Sequence, residues 1–330
     1  MNEETKSENI PVSSERHLLT FYTRTPLHVG SGATVEVVDL PVARERTTNF
    51  PIMPGTGLKG VLLQRARERW AGPKSKPDDL PEEAKVLFGS EDEAPADGDT
   101  ARKKAVHYAG CLQIMEAKLL AFPVRSLAGC FAWLTCPTAL SRYQRDTGAQ
   151  FEIPTPAKDH TIAGSELVVP SDADGQCVLE EYALRVQGAP AQKAAHAQTV
   201  AALAKICSDA LWMKHLGARL AVVHDENFQH YVTSCTEVVQ RIKINPATRT
   251  VDGSGLFTQE NIPCETLFYS VITVVNSRRP GDSPKPPAEL LAQLLPDAPP
   301  PLMQFGGDET TGHGFCTAKA ISLAKSQQPS

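Results

Sequence analysis

Residues 17–70 read HLLTFYTRTPLHVGSGATVEVVDLPVARERTTNFPIMPGTGLKGVLLQRARERW. The first part, HLLTFYTRTPLHV, sets β-branched and aromatic residues in short runs and reads as a strand, with Thr25-Pro26 and the glycines of GSGA marking its exit. VEVVDLPV, residues 35–42, reads as a second extended stretch. Beyond NFPIMPGTG, Leu58, Val61, Leu62, Arg65, Ala66 and Trp70 fall at helical spacing, with Thr56 placed to cap the helix N-terminus. The order is therefore strand, loop, strand, loop, helix.

Outward from this stretch, strand and helix signals do not alternate regularly. The class is α+β with insertions, not a doubly wound sheet. Residues 78–99 hold nine acids and one lysine and read as an acidic surface insertion. A helical insertion covers about 188–217, where PAQKAAHAQTVAALAKICSDALWMKHLG reads as one long helix stopped by Gly217. CTEVVQRIKI and ETLFYSVITVV are β-rich, and the polar NPATRTVDGSG between the first of them and LFTQENIP predicts a protruding hairpin. Residues 279–301 carry eight prolines and a short helix, AELLAQLL. Residues 1–16 and 323–330 lack apolar spacing able to offset ordering entropy and read as disordered tails around a single domain over 17–322.

At 330 residues, 41% apolar and 22% charged, the composition is globular. No apolar run suits a membrane span, and the polar, acidic start does not resemble a signal peptide, so a cytoplasmic protein is expected. The eight cysteines form no C-x-x-C pair and read as reduced core thiols. The net charge of −5 argues against nucleic acid until its distribution is inspected. Residues 17–77 carry nine basic residues against four acids, a local excess that can meet phosphates or simply form a solvated face.

Gly55-Thr-Gly-Leu-Lys-Gly60 has phosphate-loop spacing, but Val61 and Leu62 stand where Lys and Ser/Thr are needed, which excludes an NTPase loop. What remains is a helix N-terminus with Lys59 in its first turn: either an anion site or a tight turn with Lys59 in solvent. Phe305-Gly-Gly-Asp-Glu-Thr-Thr-Gly-His-Gly-Phe315 packs four glycines between apolar flanks, either a phosphate nest or a long turn. A ligand shared by both requires the fold to bring the chain's two ends together. His28, Asp39 and nearby Glu36 show no triad order and no H-E-x-x-H; a His and an Asp on facing loops can serve as acid and base, hold a metal, or be structural.

TPLHVGSG, VVDLPVARERTTNFPIMPGTGLKG, FPVRSLAGCFAWLTCPTAL, VVHDENFQHYV, RIKINPATRTVDGSGLFTQENIPCETLFYSV and FGGDETTGHGFC, in this order, resemble the RAMP superfamily, and within it the repeated backbone subunits of the type III-B CRISPR effector, the Cmr complex. The resemblance runs from about Leu18 to about Ala320. It implies a ferredoxin-like, RRM-related palm with helical insertions and a thumb hairpin over about 241–264. It also implies an endoribonuclease that binds guide (CRISPR) RNA and cuts complementary single-stranded target RNA at regular intervals in antiviral defence. A transient divalent metal ion (Mg2+ or Mn2+) would assist, and the products would be a 2′,3′-cyclic phosphate and a 5′-OH. By the same resemblance Asp39 is the catalytic acid, acting as proton acceptor or metal ligand, and His28 assists. Glu260 is a substitute helper, because Gln259-Glu260-Asn261 stands where relatives often show an acidic pair and an aromatic. Lys59, with Gly55, Thr56, Arg44 and Arg46, would contact the guide, as would Gly306, Gly307, Gly312, His313 and Gly314. Implied partners are further copies in a helical filament, a small helical subunit, a large polymerase-like subunit and capping RAMP subunits, with no membrane. A non-cleaving guide-binding scaffold is the alternative, and an enzyme trimming free precursor guide RNA without metal a third.

Overall fold

The computed structural model describes residues 14–32, 38–72, 80–90, 107–171, 175–245, 247–279, 283 and 285–323. Strand β1 (Glu15–Thr23) lies at the centre of the palm, and its period of two sends Leu19 and Phe21 into one apolar cluster and Leu18 and Tyr22 into another. The remaining strands are β2 (Ile52–Met53), β3 (Leu112–Ile114), β4 (Ala117–Arg125), β5 (Phe131–Thr135), β6 (His160–Ala163), β7 (Gln176–Leu179), β8 (Tyr182–Val186), β9 (Leu220–Val223), β10 (Glu237–Ile244), β11 (Val251–Asn261), β12 (Leu267–Val274), β13 (Leu302–Gln304) and β14 (Phe315–Ser322). The helices are α1 (Gly55–Trp70), α2 (Glu82–Phe88), α3 (Pro137–Thr147), α4 (Pro190–Ala204), α5 (Ala210–Arg219), α6 (Asp225–Ser234) and α7 (Pro287–Leu294).

β1 pairs antiparallel with β12 on one side and β14 on the other, and β12 pairs antiparallel with β4. The order β14-β1-β12-β4, with α1 joining β1 to β4 and α7 joining β12 to β14, is that of a ferredoxin-like split βαβ. The sheet continues past β4 through β5, β9, β6, β8 and β7, all inserted between β4 and β12. Leu58 and Leu62 of α1, Leu87 of α2 and Leu290 and Leu294 of α7 cover one face. Leu140 of α3, Leu203 of α4 and Trp212 and Leu216 of α5 cover the other, against Tyr22, Trp133 and Tyr269. The sheet is thus a middle layer between two helical layers, and the hairpin β10–β11 stands off it as a separate two-stranded unit.

Several expectations are corrected. Residues 38–42 of the expected second strand form isolated bridges only, because Pro41 lacks an N–H and its neighbours bond in different directions, Asp39 and Leu40 to β11, Val42 N–H to the Glu260 carboxylate and Pro41 O to Ser31 N–H; residues 33–37, with Glu36, lie outside the described residues. Helix α1 starts at Gly55 with Pro54 at its cap, so Thr56 sits inside the first turn and makes no side-chain cap. The acidic stretch is not wholly a surface insertion, since Ala84, Val86, Leu87 and Phe88 of α2 enter the core, while residues 78–79 and 91–99 lie outside the described residues.

The long helix expected over 190–217 is two helices: Asp209 Oδ1 accepts from the N–H groups of Leu211 and Trp212, starting α5, which runs through Gly217 to Arg219. The hairpin spans 237–261, because Ile262 has already turned to pair with Leu27. Strand β1 begins at Glu15, inside the expected tail; residues 1–13 and 324–330 lie outside the described residues.

Candidate active site

The last turn of chain in β11 organises the site, because two loops pair along it. Leu40 N–H donates to Thr258 O at 3.1 Å and Glu260 N–H to Leu40 O at 3.0 Å, while Leu27 and Ile262 exchange two bonds of 2.8 Å. These ladders bring the loop of Asp39 and the loop of His28 against alternate residues of one strand.

Asp39 is exposed and accepts two bonds at Oδ2, from Thr258 N–H at 2.7 Å and Thr258 Oγ1–H at 2.8 Å; its own N–H donates to Thr258 Oγ1 at 3.0 Å. The backbone and side-chain bonds from Thr258 hold its carboxyl below the usual carboxylate range. Such a group is a weak base and a persistent anion. His28 Nδ1 lies 2.7 Å from Glu260 O. A carbonyl only accepts, so Nδ1 carries the proton and Nε2 is the nitrogen left for chemistry.

Glu260 itself is buried, and its carboxylate takes three donors: Arg44 Nη2 and Thr236 Oγ1 at Oε1, and Val42 N–H at 2.9 Å at Oε2. Arg44 spends Nη1 on Asn49 O and Val232 O at 2.9 and 3.0 Å. The two residues expected as helper and RNA contact therefore form a pair, Glu260 buried and Arg44 half-buried, that fixes the loop carrying Asp39 onto the thumb base. Arg46 is exposed.

The C-terminal glycines close the site from the other end of the chain. Gly307 N–H donates to His28 O at 2.9 Å. At Gly306, φ is +75° and a Cβ would stand 2.1 Å from His28 O. We expect Gly306→Ala to destabilise the fold by about 1–3 kcal/mol through backbone strain and displacement of the His28 loop, measured as a lower urea midpoint with unchanged slope.

A cavity of about 330 Å3 lined by Met53, Gly57, Val61, Phe305 and Gly306 lies between the start of α1 and this loop, so the fold does unite the two glycine-rich motifs. Thr56 and Lys59 are exposed beside it. Gly55 has an internal reason to be glycine, since a Cβ there would meet Ile114 O at 2.9 Å. Gly312 is exposed and Gly314 buried, and His313 Nδ1 lies 3.3 Å from Arg241 Nη2. Thr258 is the participant that sequence reading missed; no motif marks a threonine two residues ahead of Glu260, and only the loop pairing reveals it.

Among the described residues no three His, Cys, Asp or Glu side chains gather into a metal cage. Asp39, a single ionised carboxylate on an open surface, fits the kind of divalent site that is completed by phosphate oxygens and water. Among the described residues no helix is long and apolar enough to cross a membrane.

A family model described as the RAMP superfamily matches residues 20–317. The chain belongs to the RAMP superfamily. It is 36% identical over 305 residues, 91% of this chain and 93% of the relative, to the CRISPR system Cmr endoribonuclease Cmr4 of Pyrococcus furiosus. The crystal structure of oligomeric Cmr4 from Pyrococcus furiosus matches with a TM-score of 0.66 and 29% identity, covering 95% of this chain and all of that one. A chain of the type III-B Cmr-beta complex bound to cognate target RNA matches with a TM-score of 0.64 at 19% identity, covering 93% of this chain and 97% of that one; that likeness is one of fold. In this RAMP protein the hairpin and both glycine-rich motifs fall within the matched span, as does the palm apart from the start of β1 and the last part of β14.

Proposed function

We propose that this RAMP protein is the repeated backbone subunit of a type III-B CRISPR effector, which binds guide RNA and cuts complementary target RNA. The observation that carries the reading is the pinning of Asp39 and His28 to Thr258 and Glu260 of the thumb strand, two residues apart. The endoribonuclease name of the relative and the oligomeric Cmr4 crystal structure support cutting and self-association. Other Cmr subunits complete the assembly, and guide pairing supplies sequence choice.

In A-form duplex the 2′-OH cannot align with its own phosphate; a nucleotide freed from that geometry beside the thumb can. The 2′-oxygen attacks the adjacent phosphorus, the bond to the 5′-oxygen breaks, the departing 5′-oxygen takes a proton from solvent water, and the products are a 2′,3′-cyclic phosphate and a 5′-OH. His28 Nε2 takes the hydroxyl proton, and Nδ1–H bonded to Glu260 O keeps the ring oriented. Asp39, held ionised by Thr258, would hold a divalent cation (Mg2+ or Mn2+), which when bound supplies positive charge to the developing phosphorane. The reading is tested by a labelled target cut by the guide-loaded assembly at regular intervals.

A second reading, a scaffold that binds without cutting, is favoured by the commitment of the Glu260 carboxylate to Arg44. Guide and target binding with no cuts in Mg2+ or Mn2+ would select it. Lys59, exposed near the start of α1, would contact the guide backbone. Lys59→Ala should weaken guide binding for every sequence alike and reduce the salt slope by about 1, measured by titration across salt concentrations.

A further inference from the structure

Thumb and glycine loop meet at one carboxylate. Asp308 Oδ2 accepts from Gln259 Nε2 at 2.5 Å and from Arg241 Nη2 at 3.1 Å, so it holds both strands of the hairpin at once. Gln259 is buried and lies between Thr258, which holds Asp39, and Glu260, whose carbonyl holds His28. One residue before Asp308, Gly307 N–H bonds His28 O. The result is a closed ring of contacts: His28 to β11, β11 through Gln259 to Asp308, and Asp308 through Gly307 back to His28.

Asp308 adopts φ +63°, a left-handed conformation that glycine would take without strain. In a loop already rich in glycine, an aspartate at that angle is explained by its carboxylate and not by its backbone. A loop serving the guide alone would have no need of an ion pair to the thumb.

We propose that Asp308 is a positioning residue for cutting, which sets the angle of the thumb strand against the glycine loop and so aligns Asp39 and His28 with the target. The inference rests on the nuclease reading above. Asp308→Asn keeps size and tolerance of the left-handed region but removes the charge facing Arg241, and Arg241→Gln removes it from the other side.

In the guide-loaded assembly at saturating target, each single variant should cut about ten-fold or more slowly in single turnover, with guide and target affinities within about three-fold of wild type. The double variant should be no slower than the slower single one, as for residues acting as a unit. Target carrying 2-aminopurine opposite the thumb should report altered base stacking in both single variants. Wild-type single-turnover rates and wild-type 2-aminopurine emission in Asp308→Asn would overturn the proposal while leaving the nuclease reading intact. A wild-type assembly that binds guide and target but never cuts would overturn the nuclease reading and this proposal with it, an outcome told apart from the previous one by the wild-type rate alone.

Discussion

Asp39→Ala is expected to lower target cutting by about 100-fold or more while guide binding stays as in wild type. The carboxylate is exposed, and both of its bonds at Oδ2 come from Thr258, so its loss removes reacting charge without opening the core. Chelating divalent ions with EDTA should reproduce the loss in wild type and add nothing to the variant. The pH dependence carries a sign. Bonding from Thr258 lowers the Asp39 pKa below its ordinary 3.8, so the ionised form persists above that value and is lost only as pH falls through the lowered one. Cutting should therefore show no inflection from Asp39 at about pH 5 and above, within the range where acid unfolding does not interfere. An inflection that disappears in Asp39→Ala, or EDTA-resistant cutting, would defeat the assignment as metal ligand, and unchanged cutting in the variant would remove Asp39 from the site altogether.

Arg44→Ala is expected to cost about 3–5 kcal/mol of stability, far more than its place in a surface loop suggests. The guanidinium holds Glu260, Asn49 O and Val232 O, and both members of the pair are largely withdrawn from solvent. Removing one leaves a buried carboxylate whose remaining donors, Thr236 Oγ1 and Val42 N–H, cannot replace a positive charge. Glu260→Gln should cost less, since an amide still accepts from Val42. A double-mutant cycle over Arg44 and Glu260, read by urea denaturation, should show a large favourable coupling. Additive costs would mean that the two side chains act independently. Because the Glu260 carbonyl holds His28, cutting should fall together with stability in Arg44→Ala.

The sequence made the palm legible at its core. The β-branched and aromatic runs in HLLTFYT and LFYSVITV and the helical spacing of Leu58, Leu62 and Ala66 are local signals, and a strand or a helix formed over each. What failed was local reasoning about places decided at a distance. Residues 38–42 look extended, but the backbone N–H groups of Asp39, Leu40 and Val42 bond to β11 some 220 positions downstream. Charge on the surface of α2 conceals Val86, Leu87 and Phe88 in the core. In the same way Arg44 and Glu260 look like surface charges until the fold sets one against the other. Asp39, His28 and the glycine motifs stood out in the residues with several readings open, their roles came from the resemblance and their juxtaposition from the fold, whereas Thr258 and Asp308 had no sequence signal because their partners are 219 and 49 residues away.

The central position of β1 also governs how the molecule comes into being. Both of its neighbours are late in the chain, Leu18 facing Val271 on one side and Ile321 on the other. On a ribosome, β1 waits with both of its edges unpaired until nearly all of the described chain has been made, and closure of so long a loop is entropically slow. Refolding from denaturant should accordingly be limited by docking of β12 and β14 onto β1, with the inserted β5–β9 unit gaining protection from hydrogen exchange first.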